Sequence, residues 1–115
     1  MKALVYEGPG KQAWTSVPDP GIADPRDVII QVTTAAICGT DLHILAGDVP
    51  EVDPGRVLGH EAVGIVVETG SDIDDLVPGD RVLVSCISGC GRCAYCRKAR
   101  YGQCRRGGWL LGHMI

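Results

Sequence analysis

The sequence predicts a mainly β protein, an antiparallel barrel or sandwich with one short helix and a separate loop lobe. Short runs rich in β-branched residues recur along the chain, with Gly, Pro and Asp between them. Only one stretch carries both helix-start and helix-stop residues. The runs place strands at residues 2–6, 14–17, 28–36, 62–69 and 81–85. Before the last of these, Val77-Pro78-Gly79-Asp80 reads as a tight turn: proline fixes φ at the first corner and glycine accepts positive φ at the second. The helix runs from Thr40 or Asp41, one of which caps it, to Ala46 and stops at Gly47.

At 115 residues and 45% hydrophobic, the chain suits one domain spanning 1–115, with residues of about 88–108 as an excursion. The net charge of −3 gives no overall positive field, so neither nucleic acid nor an anionic membrane is an expected partner. Apolar runs such as residues 62–67, interrupted by Gly64, fall far short of the roughly 20 needed to cross a bilayer. The opening MKALVYEGPGK lacks the apolar core of a secretory signal, which implies a cytoplasmic chain with reduced thiols.

Cys90-Gly-Arg-Cys93-Ala-Tyr-Cys96, followed by Cys104, holds four of the six cysteines. Two-residue gaps let turns bring successive sulfurs onto one tetrahedral centre, and zinc takes four thiolates at about 2.3 Å. A pair of disulfides fits the spacing but not a reducing compartment. An iron–sulfur cluster also uses two-residue gaps, but its bacterial run places the last cysteine after three residues with proline behind it; Cys104 comes after seven and precedes Arg105. Zinc is therefore the expected metal, with Gly89, Gly91, Gly102, Gly107 and Gly108 supplying unusual backbone angles. Arg92, Arg97, Lys98, Arg100, Arg105 and Arg106 lie in the same loop with no acidic residue among them. They read as counter-charge to a tetrathiolate centre rather than as a nucleic-acid patch. Asp72, Asp74 and Asp75 read as a solvated turn.

A second group, Cys38-Gly39-Thr40-Asp41-Leu42-His43 followed by Gly59-His60-Glu61, suggests a second metal. A thiolate and an imidazole are good zinc ligands, and a catalytic zinc keeps one position open for water or substrate. Taken alone, a residue such as His60 is more often a hydrogen-bonded structural one, and a cysteine such as Cys38 more often a small buried apolar one.

Cys-Gly-Thr-Asp-x-His at 38–43, Gly-His-Glu at 59–61, Pro-Gly-Asp-Arg-Val at 78–82 and the four-cysteine loop occur together. In this order and spacing the chain resembles the amino-terminal GroES-like catalytic domain of zinc-dependent medium-chain alcohol dehydrogenases. The resemblance implies a partly open GroES-like β-barrel. It implies that Cys38 and His60 are ligands of a catalytic zinc, with Glu61 able to approach the metal during ligand exchange. It implies a structural zinc on Cys90, Cys93, Cys96 and Cys104. Thr40 and His43 resemble a proton relay that takes the alcohol proton past the cofactor ribose, which makes them cofactor-contacting as well. Cys86 falls where the family lines its substrate pocket, and reads equally as a buried strand cysteine. The implied reaction is oxidation of an alcohol to an aldehyde or ketone with hydride transfer to NAD or NADP, in a homo-oligomer.

Two departures accompany the resemblance. The family's third catalytic-zinc ligand and its nucleotide-binding domain lie downstream of the matched region, and no Gly-x-Gly-x-x-Gly sits between a strand and a helix here. The chain is thus expected to be a truncated or isolated first domain, inactive alone. The alternative is a non-enzymatic zinc-binding module that uses the same barrel for protein association.

Overall fold

The computed structural model describes residues 1–108; the last seven residues of the expected domain 1–115 lie outside the described part. Strand β1 (Lys2–Gly8) and strand β2 (Lys11–Ser16) form an antiparallel hairpin with Lys2 opposite Ser16 and Gly8 opposite Lys11. Strands β3 (Val28–Ala35), β4 (Ala62–Thr69) and β5 (Arg81–Leu83) form a second antiparallel sheet in the order β3-β4-β5. Helix α1 (Gly39–Ala46) lies between β3 and β4 in sequence. A bridge between Val5 and Val57, with backbone hydrogen bonds from Tyr6 to Arg56, Gly55 to Tyr6 and Leu58 to Leu4, ties β1 to the segment leading into β4. Two small sheets with bulges, rather than one closed ladder, make the barrel partly open.

All five expected strands exist, β4 with the expected bounds and the other four with shifted ends. Strand β1 runs on to Gly8 and β2 starts at Lys11, because the hairpin zips almost to its Pro9-Gly10 turn, where Gly10 takes φ +71°. Strand β5 stops at Leu83 instead of 85, since only Val63, Gly64 and Ile65 of β4 pair with it. The Val77–Asp80 turn forms as expected: the Asp80 N–H donates to the Val77 carbonyl at 3.1 Å, and Gly79 takes φ +103°.

The helix starts one residue earlier than expected and has a different cap. Cys38 is the N-cap: its sulfur accepts the Thr40 N–H at 3.2 Å, and its own N–H donates to the Asp41 carboxylate at 2.9 Å. This is a capping box with a thiol in the place usually held by a hydroxyl. Neither Thr40 nor Asp41 can cap, because both are already inside the helix. At the other end Gly47 takes φ +85° and closes the last turn, as expected.

The core is formed where α1 meets the hairpin and the 49–58 segment. Tyr6, Ile44, Val52 and Leu58 are buried there, with Leu4, Leu45 and Val49 packed against them. Ile44 is fully buried and lies one turn beyond Asp41, so the same helical face that enters the core carries the buried carboxylate. The β3-β4-β5 sheet buries Val66 but leaves Val32, Val67 and Leu83 exposed.

Two metal-ligand clusters

Between β5 and residue 108 the chain makes the expected lobe, containing two short 3-10 turns, Cys96–Lys98 and Tyr101–Gln103. Reciprocal backbone bonds between Ser88 and Gly108, at 3.0 and 2.7 Å, clasp its two ends. Within it the thiols of Cys90, Cys93, Cys96 and Cys104 converge, all four within 4.8 Å of one another, and no disulfide joins any of the six cysteines. Sulfurs around tetrahedral zinc sit about 3.8 Å apart, so the cluster is of the size that metal requires.

Backbone amides prepare some of these sulfurs for negative charge. The Cys96 N–H donates to Cys93 Sγ at 3.4 Å, and Cys104 Sγ accepts from the Cys90 and Arg106 amides at 3.3 and 3.4 Å. Amide donation from Cys96 and Arg105 pulls the Cys93 thiol down from 9.0 to about 6. Cys104 is lowered by the amides of Cys90 and Arg106. Cys96 goes the other way, pushed up to about 12 by burial and then by the neighbouring sulfurs. Amides can stabilise two thiolates, but four thiolates gathered within 4.8 Å need a cation at the centre. The donor set therefore fits a zinc ion.

Only part of the expected glycine chemistry holds. Gly91 and Gly108 take positive φ, at +71° and +83°, whereas Gly89, Gly102 and Gly107 do not. Gly107 is required by contact instead: a Cβ there would meet Ser88 Oγ at 2.3 Å, where the two ends of the lobe are clasped. The six cationic side chains of the lobe are exposed. Among them, Arg106 reaches the Asp24 carboxylate of the body at 3.6 Å, and Arg105 lies 5.7 Å over the Tyr95 ring.

The second cluster joins two elements distant in sequence. Cys38 enters as the cap of α1, His60 lies just before β4, and Cys38 Sγ is 3.1 Å from His60 Nε2. Behind the imidazole, Asp41 Oδ1 lies 3.4 Å from His60 Nδ1, with both residues over 90% buried and both atoms short of a hydrogen-bond partner at ordinary distance. A carboxylate facing Nδ1 favours the hydrogen on that nitrogen, which turns the Nε2 lone pair toward the Cys38 sulfur. Two electron-pair donors aimed at each other fit a shared cation, with Asp41 orienting the histidine from behind.

Asp41 is the residue of this candidate cluster that sequence reasoning did not include. It was legible as the fourth member of Cys38-x-x-Asp41, a capping-box spacing with cysteine in the first position. Glu61 is half-buried and its carboxylate is not among the atoms that cluster with Cys38 and His60. Its backbone carbonyl accepts the Ala36 N–H at 3.1 Å, and it lines an open, largely apolar concavity with Ala35, Val63, Leu83, Val84 and Cys86. Cys86 is exposed in that concavity rather than buried in a strand. Thr40 is half-buried and His43 exposed; both lie on α1, three residues apart and so on neighbouring turns of one face. His43 Nδ1 pairs with Asp48 at 2.9 Å. Among the described residues, no helix is long and apolar enough to cross a membrane.

Residues 24–114 match the family described as the alcohol dehydrogenase GroES-like domain. A zinc-type alcohol dehydrogenase-like protein of Schizosaccharomyces pombe is 42% identical over 105 residues, which is 90% of this chain and 25% of that protein. An L-threonine 3-dehydrogenase of Streptomyces avermitilis is 47% identical over 109 residues, 91% of this chain and 32% of that protein. Among solved structures, a zinc-dependent alcohol dehydrogenase 2 from Streptococcus pneumonia, in its apo form, superposes with a TM-score of 0.93 at 42% identity. That superposition covers 100% of this chain and 33% of the other. The chain thus spans about a quarter to a third of the length of these relatives. By family match, shared sequence and shared fold, it belongs to the alcohol dehydrogenase GroES-like domain family.

Proposed function

We infer that the chain is the zinc-carrying catalytic domain of an alcohol dehydrogenase, acting on a small alcohol or carbonyl substrate with NAD or NADP as hydride partner. The observation that carries this reading is the 3.1 Å approach of Cys38 Sγ to His60 Nε2, with Asp41 behind the ring. In this reading Cys38 and His60 hold a catalytic zinc, with Glu61 close enough in sequence to exchange onto it. Cys90, Cys93, Cys96 and Cys104 hold a structural one. A zinc ion at the first site supplies Lewis acidity, which lowers the pKa of an alcohol so that its proton leaves near neutral pH.

The chain's own residues do the rest. The Thr40 hydroxyl both accepts and donates, so it can take the alcohol proton while passing its own onward. His43, exposed on the same helical face, is suited to hand that proton to water. The open, largely apolar concavity containing Glu61 and Cys86 offers a wall for the carbon skeleton of the substrate. In this reading hydride acceptance needs a nicotinamide-binding unit, and among the described residues no fourth donor joins Cys38, Asp41 and His60. Without that unit the domain is expected to be inactive, and the complete enzyme to be a cytoplasmic homo-oligomer. A non-enzymatic module for protein association remains the second reading, favoured by the exposed Val32, Val67 and Leu83 of the open sheet.

Metal analysis tests the assignment. Protein 1–115 purified without added zinc should carry about one ion per chain, held by the lobe. Excess cobalt should then load a second ion whose thiolate absorption disappears in Cys38→Ser. A second ion insensitive to Cys38→Ser would overturn the reading, whereas two ions held tightly without supplementation would show that this chain completes the second site by itself.

A further inference from the structure

His43 is not a free surface histidine. Its side chain and its backbone are both engaged by one residue, Asp48: the ring Nδ1 lies 2.9 Å from Asp48 Oδ2, and the His43 carbonyl accepts the Asp48 N–H at 2.9 Å. This double contact spans five positions, which a regular helix does not bring together. It exists because Gly47 reverses the chain at φ +85° and returns Asp48 beneath the last turn of α1. The reversal is itself held in place. Gly47 packs so closely on Pro9 that a Cβ would meet Pro9 Cγ at 3.0 Å, and Gly10 donates to the Leu45 carbonyl at 2.7 Å. The hairpin turn thus fixes the helix end, and the helix end fixes Asp48 against the ring.

An ionised carboxylate accepts hydrogen bonds and donates none, so the hydrogen between the two residues belongs to His43 Nδ1. We propose that Asp48 is a positioning residue of the proton path, holding His43 as the Nδ1–H tautomer so that Nε2 is the atom that receives and releases the proton. The inference rests on the relay reading of Thr40 and His43. One proton arriving at Nε2 converts the neutral ring to an imidazolium, with Nδ1–H kept on Asp48 throughout. Loss of the same proton from Nε2 to water restores the starting ring, so nothing is left over. While the charge exists it faces the Asp48 carboxylate. Without Asp48, the ring is free to turn and to place its hydrogen on either nitrogen, and in part of the population the receiving nitrogen is blocked.

The test uses the 1–115 chain labelled with 15N and long-range 1H–15N correlation of the imidazoles, at a pH where His43 is neutral. The expected result is His43 as Nδ1–H in the wild type. In Asp48→Ala the ratio of Nδ1–H to Nε2–H should fall about tenfold, the loss of one hydrogen bond to a charged group. Asp48→Lys offers no acceptor but keeps a side chain that suits a helix C-terminus, so it reports the same loss should the alanine variant loosen the helix. Asp48→Glu should restore part of the ratio. A wild-type ring in the Nε2–H form overturns the proposal, and so does an unchanged ratio in Asp48→Lys. The readout needs neither zinc nor nicotinamide, so its failure counts against Asp48 alone. Failure of the relay reading shows separately, as a complete enzyme whose His43→Ala variant keeps full activity.

Discussion

The two ligand clusters are built in opposite ways. The four cysteines of the lobe lie within fifteen consecutive positions, Cys90 to Cys104, and are supported by amides of the same loop. Cys38 and His60 lie 22 residues apart and are brought together by a helix cap and the entrance to β4. The first donor set is complete and mostly enclosed by its own chain. The second offers a thiol, an imidazole and a supporting carboxylate. A complete set of four thiolates leaves a metal no position for a reactant, which suits a structural role; an incomplete set leaves one, which suits chemistry. The comparison predicts that the two sites fail independently, and each perturbation below tests that.

The largest effect is expected from Cys96→Ser. Structural zinc in small peptides contributes on the order of 10 kcal/mol to folding of the segment around it, so losing the buried ligand should unfold the lobe. Zinc content should fall by about one ion per chain, and amide protection should vanish across residues 88–108 while β1–β4 keep theirs. Retained zinc in this variant would mean that three thiolates suffice and that Cys96 is a packing residue. His60→Ala should do the converse. The second cobalt site disappears while the tetrathiolate spectrum of the lobe persists unchanged, and loss of both signals would show the clusters to be coupled.

Asp41→Ala sits between the two. Removing the carboxylate behind a ligating histidine lowers metal affinity about 10- to 100-fold. The same change removes half of the capping box, which costs about 1 kcal/mol of helix stability. Competition with a chelator reads the first effect and thermal unfolding the second; an unaltered metal affinity would remove Asp41 from the site. The smallest effect concerns the joint between lobe and body. Hydrogen bonds from Arg26 hold the half-buried Asp24 carboxyl down from 3.8 to about 2, with Arg106 adding attraction. A lowered carboxyl pKa contributes stability above the unfolded value, and that contribution fades as pH falls from about 3.8 through about 2. Asp24→Asn should flatten the acid limb of the stability curve slightly, more at low salt than at high, and leave neutral-pH zinc content unchanged.

The gathering of the lobe's cysteines was legible because its geometry is local, the spacing of Cys90, Cys93 and Cys96 being itself the turn that gathers them, whereas three of the five glycine angles expected there were not. The strands were legible for the same reason, with β-branched runs marking their middles and pairing alone deciding that β5 stops at Leu83. Composition likewise fixed the one short helix and its Gly47 stop. Tertiary structure alone settled the rest. It made Cys38 both cap and candidate ligand, set Asp41 behind His60, kept Glu61 out of the donor cluster, and folded Asp48 under His43. Each of these depends on where one element ends relative to another. Such distances are fixed by burial of Ile44 against Tyr6, Val52 and Leu58 and by the close fit of Gly47 on Pro9, which no local pattern encodes.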